Sequence, residues 1–263
     1  MLLPILLLSH SLAADLLSGD LEDATALITT RTGKVTLQSP AAKPRTTQLH
    51  AVETLSGMEV SCGEGANVFF ALSNDTALAI HENSRVRFVN YQQQPFTADK
   101  ENLDYEASRS SLSVELLKGS LSFSAERLSP LSEVVFQLPQ GKIQVHRASG
   151  HLRYNETGAH ISILRGIVTY QYPDPAEQDM IHAPNWVRIS DPSARRGEIA
   201  ESQVIAEMPG SESTIKLIEA THHASQRVLF RITPGGPAIP EPILVSNPAA
   251  RQTPSPRPYR YLD

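Results

Sequence analysis

The 263-residue chain has a single cysteine, Cys62, and that scarcity excludes two common ways of stapling a domain. No intramolecular disulfide can form, and no zinc site of two to four thiolates can be assembled. Cys62 reads as a buried free thiol. A basic surplus is missing as well: 23 Lys and Arg stand against 28 Asp and Glu, for a net charge of −5. Nucleic-acid binding needs clustered positive charge, so no nucleic-acid partner is expected. Aromatic residues make up 6% of the chain, with one tryptophan, which leaves little material for a sugar-stacking surface. No apolar run approaches the roughly 20 residues that span a bilayer as a helix. Neither a G-x-S-x-G nucleophile elbow nor an H-E-x-x-H metal motif occurs.

What is present supports a folded, exported protein. Hydrophobic residues reach 40% and charged residues 19%, enough for a buried core. The chain starts MLLPILLLSHSLAADLL. Met1 to Leu8 is apolar, and Ser11 and Ala13 place small residues where a signal peptidase reads, with Ala14 as an alternative cut. Residues 1–14 therefore read as a secretory signal, although no Lys or Arg precedes the apolar core. No cysteine follows closely, so lipid attachment is not expected. The mature protein is expected in the periplasm or outside the cell.

Residues 15–32 form a lead-in that suits a short helix or a strand. From there short alternating runs recur: VTL, MEV, NVFFAL, ALAI, VRFV, LSVELL, LSFS, VVFQL, KIQV, HLRY, HISIL and IVTY. Turn-forming clusters such as GEGAN, SND, ENS and NETG separate many of them. Period-two alternation between turn residues predicts an all-β module. Tyr91 to Arg109 interrupts the rhythm and reads as a loop or insertion, and Tyr172 to Ala183 is a second interruption. Trp186, within NWVRIS, is expected to be a buried structural residue on a strand. Residues 191–232 form a C-terminal extension, helix-friendly around Glu198 to Glu219 but broken at Pro209-Gly210, with RVLFRI as one more strand. Residues 233–263 are proline-rich and read as an extended or disordered tail.

A five-residue pattern, glycine–any–apolar–polar–apolar, appears four times: GKVTL at Gly33, GSLSF at Gly119, GKIQV at Gly141 and GIVTY at Gly166. A phosphate-binding loop would need a helix after the glycine, whereas a strand is expected after it here. The glycines therefore read as a structural device that supplies positive φ.

The ordered series GKVTLQ, SGMEVSCGEGANVFFAL, FFALSNDTALAIHENSRVRFV, VELLKGSLSF, FQLPQGKIQV and SILRGIVTY resembles the FecR-type domain over Lys34 to Tyr170. The turn at RASGHLRY departs from the family pattern. The resemblance implies a solenoid-like or rolled β layer, placed here at residues 33–190 with an insertion near 91–109. It also implies an envelope role. Some relatives are periplasmic halves of iron-uptake signal transducers, with a cytoplasmic region that contacts a sigma factor. With neither that region nor a transmembrane segment, this chain is not expected to carry a signal across a membrane alone.

Residue chemistry adds no catalytic, cofactor or metal site, and it does not identify a small-molecule ligand. His222 and His223 are adjacent in sequence and point apart on a helix or strand. His146, His151 and His160 could meet if their strands are neighbours, but solvated histidines are the simpler reading. Asp75, Glu82 and Glu115 could form a calcium or glycosidase site only by folding together. The sequon at Asn155 matters only in a eukaryotic secretory setting. The leading expectation is a non-enzymatic module that binds an envelope or periplasmic protein through strand edges and loops. The alternatives are a carbohydrate-binding surface, using Tyr91, Tyr105, Tyr154, Tyr170 or Trp186, and a hydrolase with an unfamiliar site.

Overall fold

The structure is a computed structural model that describes residues 20–95, 104–174, 176–189, 203–208, 210–231 and 241–245. The first half of the chain supplies β1 (Glu22–Asp23), β2 (Thr25–Thr32), β3 (Val35–Gln38), β4 (Arg45–Thr46), β5 (Val52–Thr54), β6 (Glu59–Cys62), β7 (Asn67–Leu72), β8 (Ala77–Ile80) and β9 (Arg85–Gln93). Three long strands dominate the second half: β10 (Ser110–Ser124), β12 (Gly141–Asn155) and β13 (Gly158–Gln171), with β11 (Glu133–Leu138) between the first two. Next come β14 (Gln178–His182), β15 (Asn185–Ile189), β16 (Gln203–Val204), helix α1 (Ser211–Gln226), β17 (Val228–Arg231) and β18 (Glu241–Leu244). The all-β class expected from the alternation is the class observed.

Strands β1 to β16 form one sheet folded into two facing layers. The front layer runs β5-β2-β7-β8, then the second half of β10, the second half of β12, the first half of β13, β15 and β16. The back layer runs β4-β3-β6-β9, then the first half of β10, β11, the first half of β12, the last part of β13, and β14. Strand β1 extends the back layer beside the end of β9. Aromatic pairs bridge the two layers: Phe70 meets Phe88 with ring centroids 6.0 Å apart, and Phe123 meets Phe136 at 4.8 Å. All four rings are fully buried.

The long strands belong to both layers because each bends, and the apolar phase slips by one residue where it does. In β10 the buried inward positions are Leu112, Val114 and Leu116, then Leu121 and Phe123. In β12 they are Ile143 and Val145, then Ala148 and Leu152; in β13, Ile161 and Ile163, then Val168 and Tyr170. An extra residue in a strand produces this change of parity together with a sharp twist. Register shifts sit at the bends in β10 and β12, between Leu116 and Lys118 and between Val145 and Ala148. The bends themselves fall at Gly119 (φ 88°), Arg147 (φ 73°) and Gly166 (φ 79°).

The back of the front layer, away from the core, is built from small buried residues: Ala71, Ala77, Ala79, Ser122, Ser124 and Ser149. Helix α1 packs there against β7, β8, β10 and β12. It starts just after Gly210, whose φ of 75° ends the preceding segment, and buries Ile218, Thr221 and Ala224. Arg165 fastens it by pairing with Glu219 on the helix (2.5 Å) and with Glu126 in the turn that follows β10 (3.2 Å). Val228 and Phe230 of β17 complete the cover against Leu27 and Ala71.

Several expectations change. The lead-in contributes β2, which pairs with β5 and β7 inside the front layer. The interval from Tyr91 to Arg109 is not loop from its start: β9 continues through Gln93 because the Tyr91 ring is fully buried. Residues 96–103 of that interval lie outside the described residues. The interruption at Tyr172–Ala183 contains strand β14. Within the proline-rich tail, Glu241–Leu244 pairs antiparallel with β17; apart from position 245, the rest of the tail and the signal segment lie outside the described residues.

The bends give a sharp test. A Cβ added at Gly166 would lie 1.8 Å from the Arg147 carbonyl oxygen, and one at Gly119 would lie 2.5 Å from Ser84 Cα. At Gly65 φ is equally positive (62°), but nothing lies within 4 Å. Gly65→Ala is expected to cost only the positive-φ penalty, about 1 kcal/mol. Gly166→Ala and Gly119→Ala add a backbone collision and are expected to cost at least about 3 kcal/mol. Urea unfolding of the three variants checks the order.

Candidate functional site

Two polar constellations are built by the layers, one sealed and one open. The sealed one lies on the front layer beneath the C-terminal segment. Because outward positions alternate with core positions, pairing brings Ala79, Ser122, His151 and Ser162 into one row across four strands. Ser122 Oγ lies 2.8 Å from His81 Nε2 and 2.9 Å from His151 Nδ1. The two rings sit 5.4 Å apart. One row away, Ser124 Oγ lies 3.0 Å from His222 Nδ1 and so ties α1 to the sheet.

A serine flanked by two imidazoles resembles a nucleophile with its base, but its surroundings oppose that chemistry. Ser122 is fully buried, and the two histidines are 7% and 8% exposed. Burial pushes the His81 pKa down to about 4. Burial, helped by the charges of His81 and Arg153, pushes His151 down to about 3. Both rings are therefore neutral at physiological pH. A single hydroxyl can donate to one and accept from the other, which satisfies the hydroxyl and one nitrogen of each ring without solvent.

The remaining residues singled out from the sequence are dispersed. His146 bonds Thr169 Oγ1 at 2.8 Å, His151 lies in the sealed row, and His160 stacks on Trp186. His222 faces the sheet while His223 is less enclosed. Asp75 faces Arg127 at 3.6 Å, Glu82 accepts from the Gly65 N–H, and Glu115 pairs with Arg87. Among the described residues no group of three His, Cys, Asp or Glu side chains is placed to hold a metal. Tyr91 and Tyr170 are fully buried, and Tyr154 packs against the core. Tyr105 lies under the Arg147 guanidinium, 4.8 Å from its ring centroid. The five aromatic candidates thus form no common surface. Trp186 is half-buried against His160 rather than enclosed in the core. Cys62 is buried as expected, and desolvation pushes its thiol up to about 12. His81 escaped sequence reasoning: it lies 41 residues from Ser122, and only strand pairing brings them together.

The open constellation is the outer face of the back layer. One row across it reads Glu59, Arg87, Glu115, Gln137, Lys142, Gln171 and Gln178 over seven strands. The next reads Asn90, Ser113, Val135, Gln144, Thr169 and Met180. Arg87 bridges Glu59 (3.6 Å) and Glu115 (3.0 Å), and Arg85 lies 3.5 Å from Glu59, so the charges at the β6–β9–β10 end cancel. Toward β14 the side chains become mostly amides and hydroxyls, with Glu133 and Lys142 balancing in charge, around a cleft of about 420 Å³. Gln137 donates to Ser113 Oγ at 2.7 Å, and Asn90 donates to Ser111 Oγ at 3.0 Å. The face ends at β14, where Met180 is 64% exposed. This is a neutral hydrogen-bonding surface beside a strand whose one partner in the described sheet is β13.

The sealed row sets an acid limit on stability. His81 and His151 have folded pKa values near 4 and 3, below the ordinary value of 6.5. Between those limits the unfolded chain binds protons that the native state refuses, so their contribution is full above pH 6.5 and is lost as pH falls. Each histidine adds a slope approaching about 1.4 kcal/mol per pH unit. Urea unfolding from pH 7 to pH 5 is expected to show a flatter decline for His151→Gln than for the parent protein. Identical slopes would refute the assignment.

Among solved structures, two crystal structures of a candidate anti-sigma factor from Parabacteroides distasonis ATCC 8503, at 1.65 and 2.50 Å resolution, align with TM-scores of 0.41. Their identities are 18% and 17%, and each alignment covers 56% of this chain. The chain spans 59% of the length of those solved chains. A search among curated proteins finds no match. Residues 58–169, from the strand before the GEGA turn through the last bend, match the FecR protein family, so the resemblance carried by those motifs is shown over that stretch.

Proposed function

We propose that this chain is an exported, non-catalytic FecR-type module with a signalling-related, regulatory role. Residues 1–14 direct it to the periplasm or the cell exterior, and it works there by binding another envelope protein. The family match over residues 58–169 supports the regulatory class. The observation that carries the binding mode is the edge of the back layer at β14, which has no second strand partner among the described residues. Strand β14 pairs with β13 along one side, and Met180 stands out from it at 64% exposure. An edge strand offers unpaired main-chain N–H and C=O groups to an incoming strand, and neighbouring side chains select the partner. Here the selecting surface is the amide-lined cleft formed by Gln144, Gln171 and Gln178. Such binding needs no catalytic group, in keeping with the solvent-sealed state of Ser122 and its histidines.

A photo-crosslinking residue at position 180, in the mature protein expressed in its own envelope, tests this reading. A discrete crosslinked protein is expected there, and none from position 157 at the distant β12–β13 hairpin. Met180→Lys is expected to reduce recovery of that partner at least fivefold without lowering thermal stability. Absence of any crosslink at position 180, or equal recovery from position 157, would remove the β14 edge as the binding element.

A further inference from the structure

Two arginines and a histidine stand in one row on the outer face of the front layer, beyond the helix. Strand pairing sets Arg153 opposite His160 and His160 opposite Arg188. The next residues along these strands, Leu152, Ile161 and Val187, are buried in the core, so the row points outward. Both arginines are exposed and His160 is half-buried. Adjacent strands lie about 4.8 Å apart, so the two guanidinium groups bracket His160 over about 10 Å.

Like charges directly opposite one another destabilise a sheet, and five other arginines of this protein are neutralised. Arg45, Arg85, Arg87, Arg127 and Arg165 each face a carboxylate. Among the described residues no ion pair engages Arg153 or Arg188. The cost is met locally by holding His160 neutral: burial, Arg188 and Arg153 all lower its pKa. Its ring stacks on Trp186, with centroids 5.9 Å apart and planes within 7°. The Trp186 indole N–H is buried without a partner among the described residues. The result is a flat aromatic patch with an unpaired guanidinium on either side, on a protein of net charge −5.

We propose that the Arg153–His160–Arg188 row docks an acidic, carboxylate-bearing segment of a partner protein. Guanidinium forks match carboxylates bidentately. An extended chain advances about 3.3 Å per residue, so acidic residues three apart reach both arginines, with the intervening residues over His160 and Trp186. Membrane and nucleic-acid surfaces suit the row less well. Anionic-lipid recognition uses clusters of about four to eight basic residues, and nucleic acids engage basic groups at many phosphates. The row lies on the opposite layer from β14 and does not rest on the binding mode proposed there.

The test uses the mature full chain and a synthetic hexaglutamate peptide at low salt, followed by NMR of the histidine rings. Saturable binding is expected, with a rise in the His160 pKa as carboxylates offset the flanking arginines. Affinity is expected to fall at least tenfold in Arg153→Glu/Arg188→Glu and to drop steeply with added salt. Arg153→Gln/Arg188→Gln, which removes charge without reversing it, is expected to lie between, and Met180→Lys to bind like the parent protein. No binding, binding unchanged in the double variants, or an unmoved His160 pKa would overturn the proposal. So would tighter binding of inorganic phosphate or of phosphatidylglycerol vesicles than of the peptide.

Discussion

The fold depends on backbone passing within contact distance of backbone where the long strands bend. At Gly166 there is no room for a side chain against the Arg147 carbonyl, and at Gly119 none against Ser84. Ser84 also stitches its bend, accepting from the Ser120 N–H at 2.8 Å while donating to the Glu82 carbonyl at 3.0 Å. Because the same strands run on into the facing layer, these contacts set how the two inner faces meet. Rings such as Phe123 and Phe136 pack because β10 changes parity at Gly119 and presents Leu116 and then Leu121 to one core. A bend without the slip would turn one half of each strand inside out, with its polar residues in the core.

The same device explains why the two outer faces differ. Ala71, Ala77, Ala79, Ser122 and Ser124 leave a shallow surface on the front layer, and a helix can lie close to it. Polar groups trapped beneath that helix must be satisfied by one another. His81, Ser122 and His151 meet that requirement only as neutral rings, so a cluster that looks reactive is an instrument of sealing. The back layer carries longer side chains outward, including Gln137, Lys142, Gln144 and Gln171, and no helix among the described residues covers them. Its charges cancel at the β6–β9–β10 end, and near β14 its outward side chains are mostly amides.

Much of this was legible in the residues, though unevenly. Period-two alternation marked most strands, and the repeated glycine pattern marked real positions of positive φ: Gly33 at 64°, Gly119 at 88° and Gly166 at 79°. The reading of those glycines as architecture holds, but two of them lie within continuous strands rather than before them. Local pattern cannot separate a turn that ends a strand from a bend that redirects it, since both require the same backbone freedom. The polar stretch QDMIH hid strand β14 because an edge strand with one buried position, Ile181, carries almost no alternation. Tyr91 was hidden among glutamines; its burial depends on Ser73 and Asn74, which reach its hydroxyl from the β7–β8 hairpin. The sealed row was the least legible feature, because His81, Ser122 and His151 come from three separate stretches of the chain.

The unequal neutralisation of arginines follows from the same geometry. A sheet face fixes the spacing of its side chains at the strand separation, so a cation meets a carboxylate only if the neighbouring strand supplies one in register. On the back layer β6 and β10 do so for Arg87, with Glu59 and Glu115 on either side. On the front layer β12 and β15 instead set Arg153 and Arg188 on either side of a histidine. Nothing in the packing requires arginine there, since both side chains stand exposed above inward neighbours that already fill the core. Among the described residues no carboxylate offsets this arrangement, which leaves the row open to the acidic segment proposed above at the separation the strands impose.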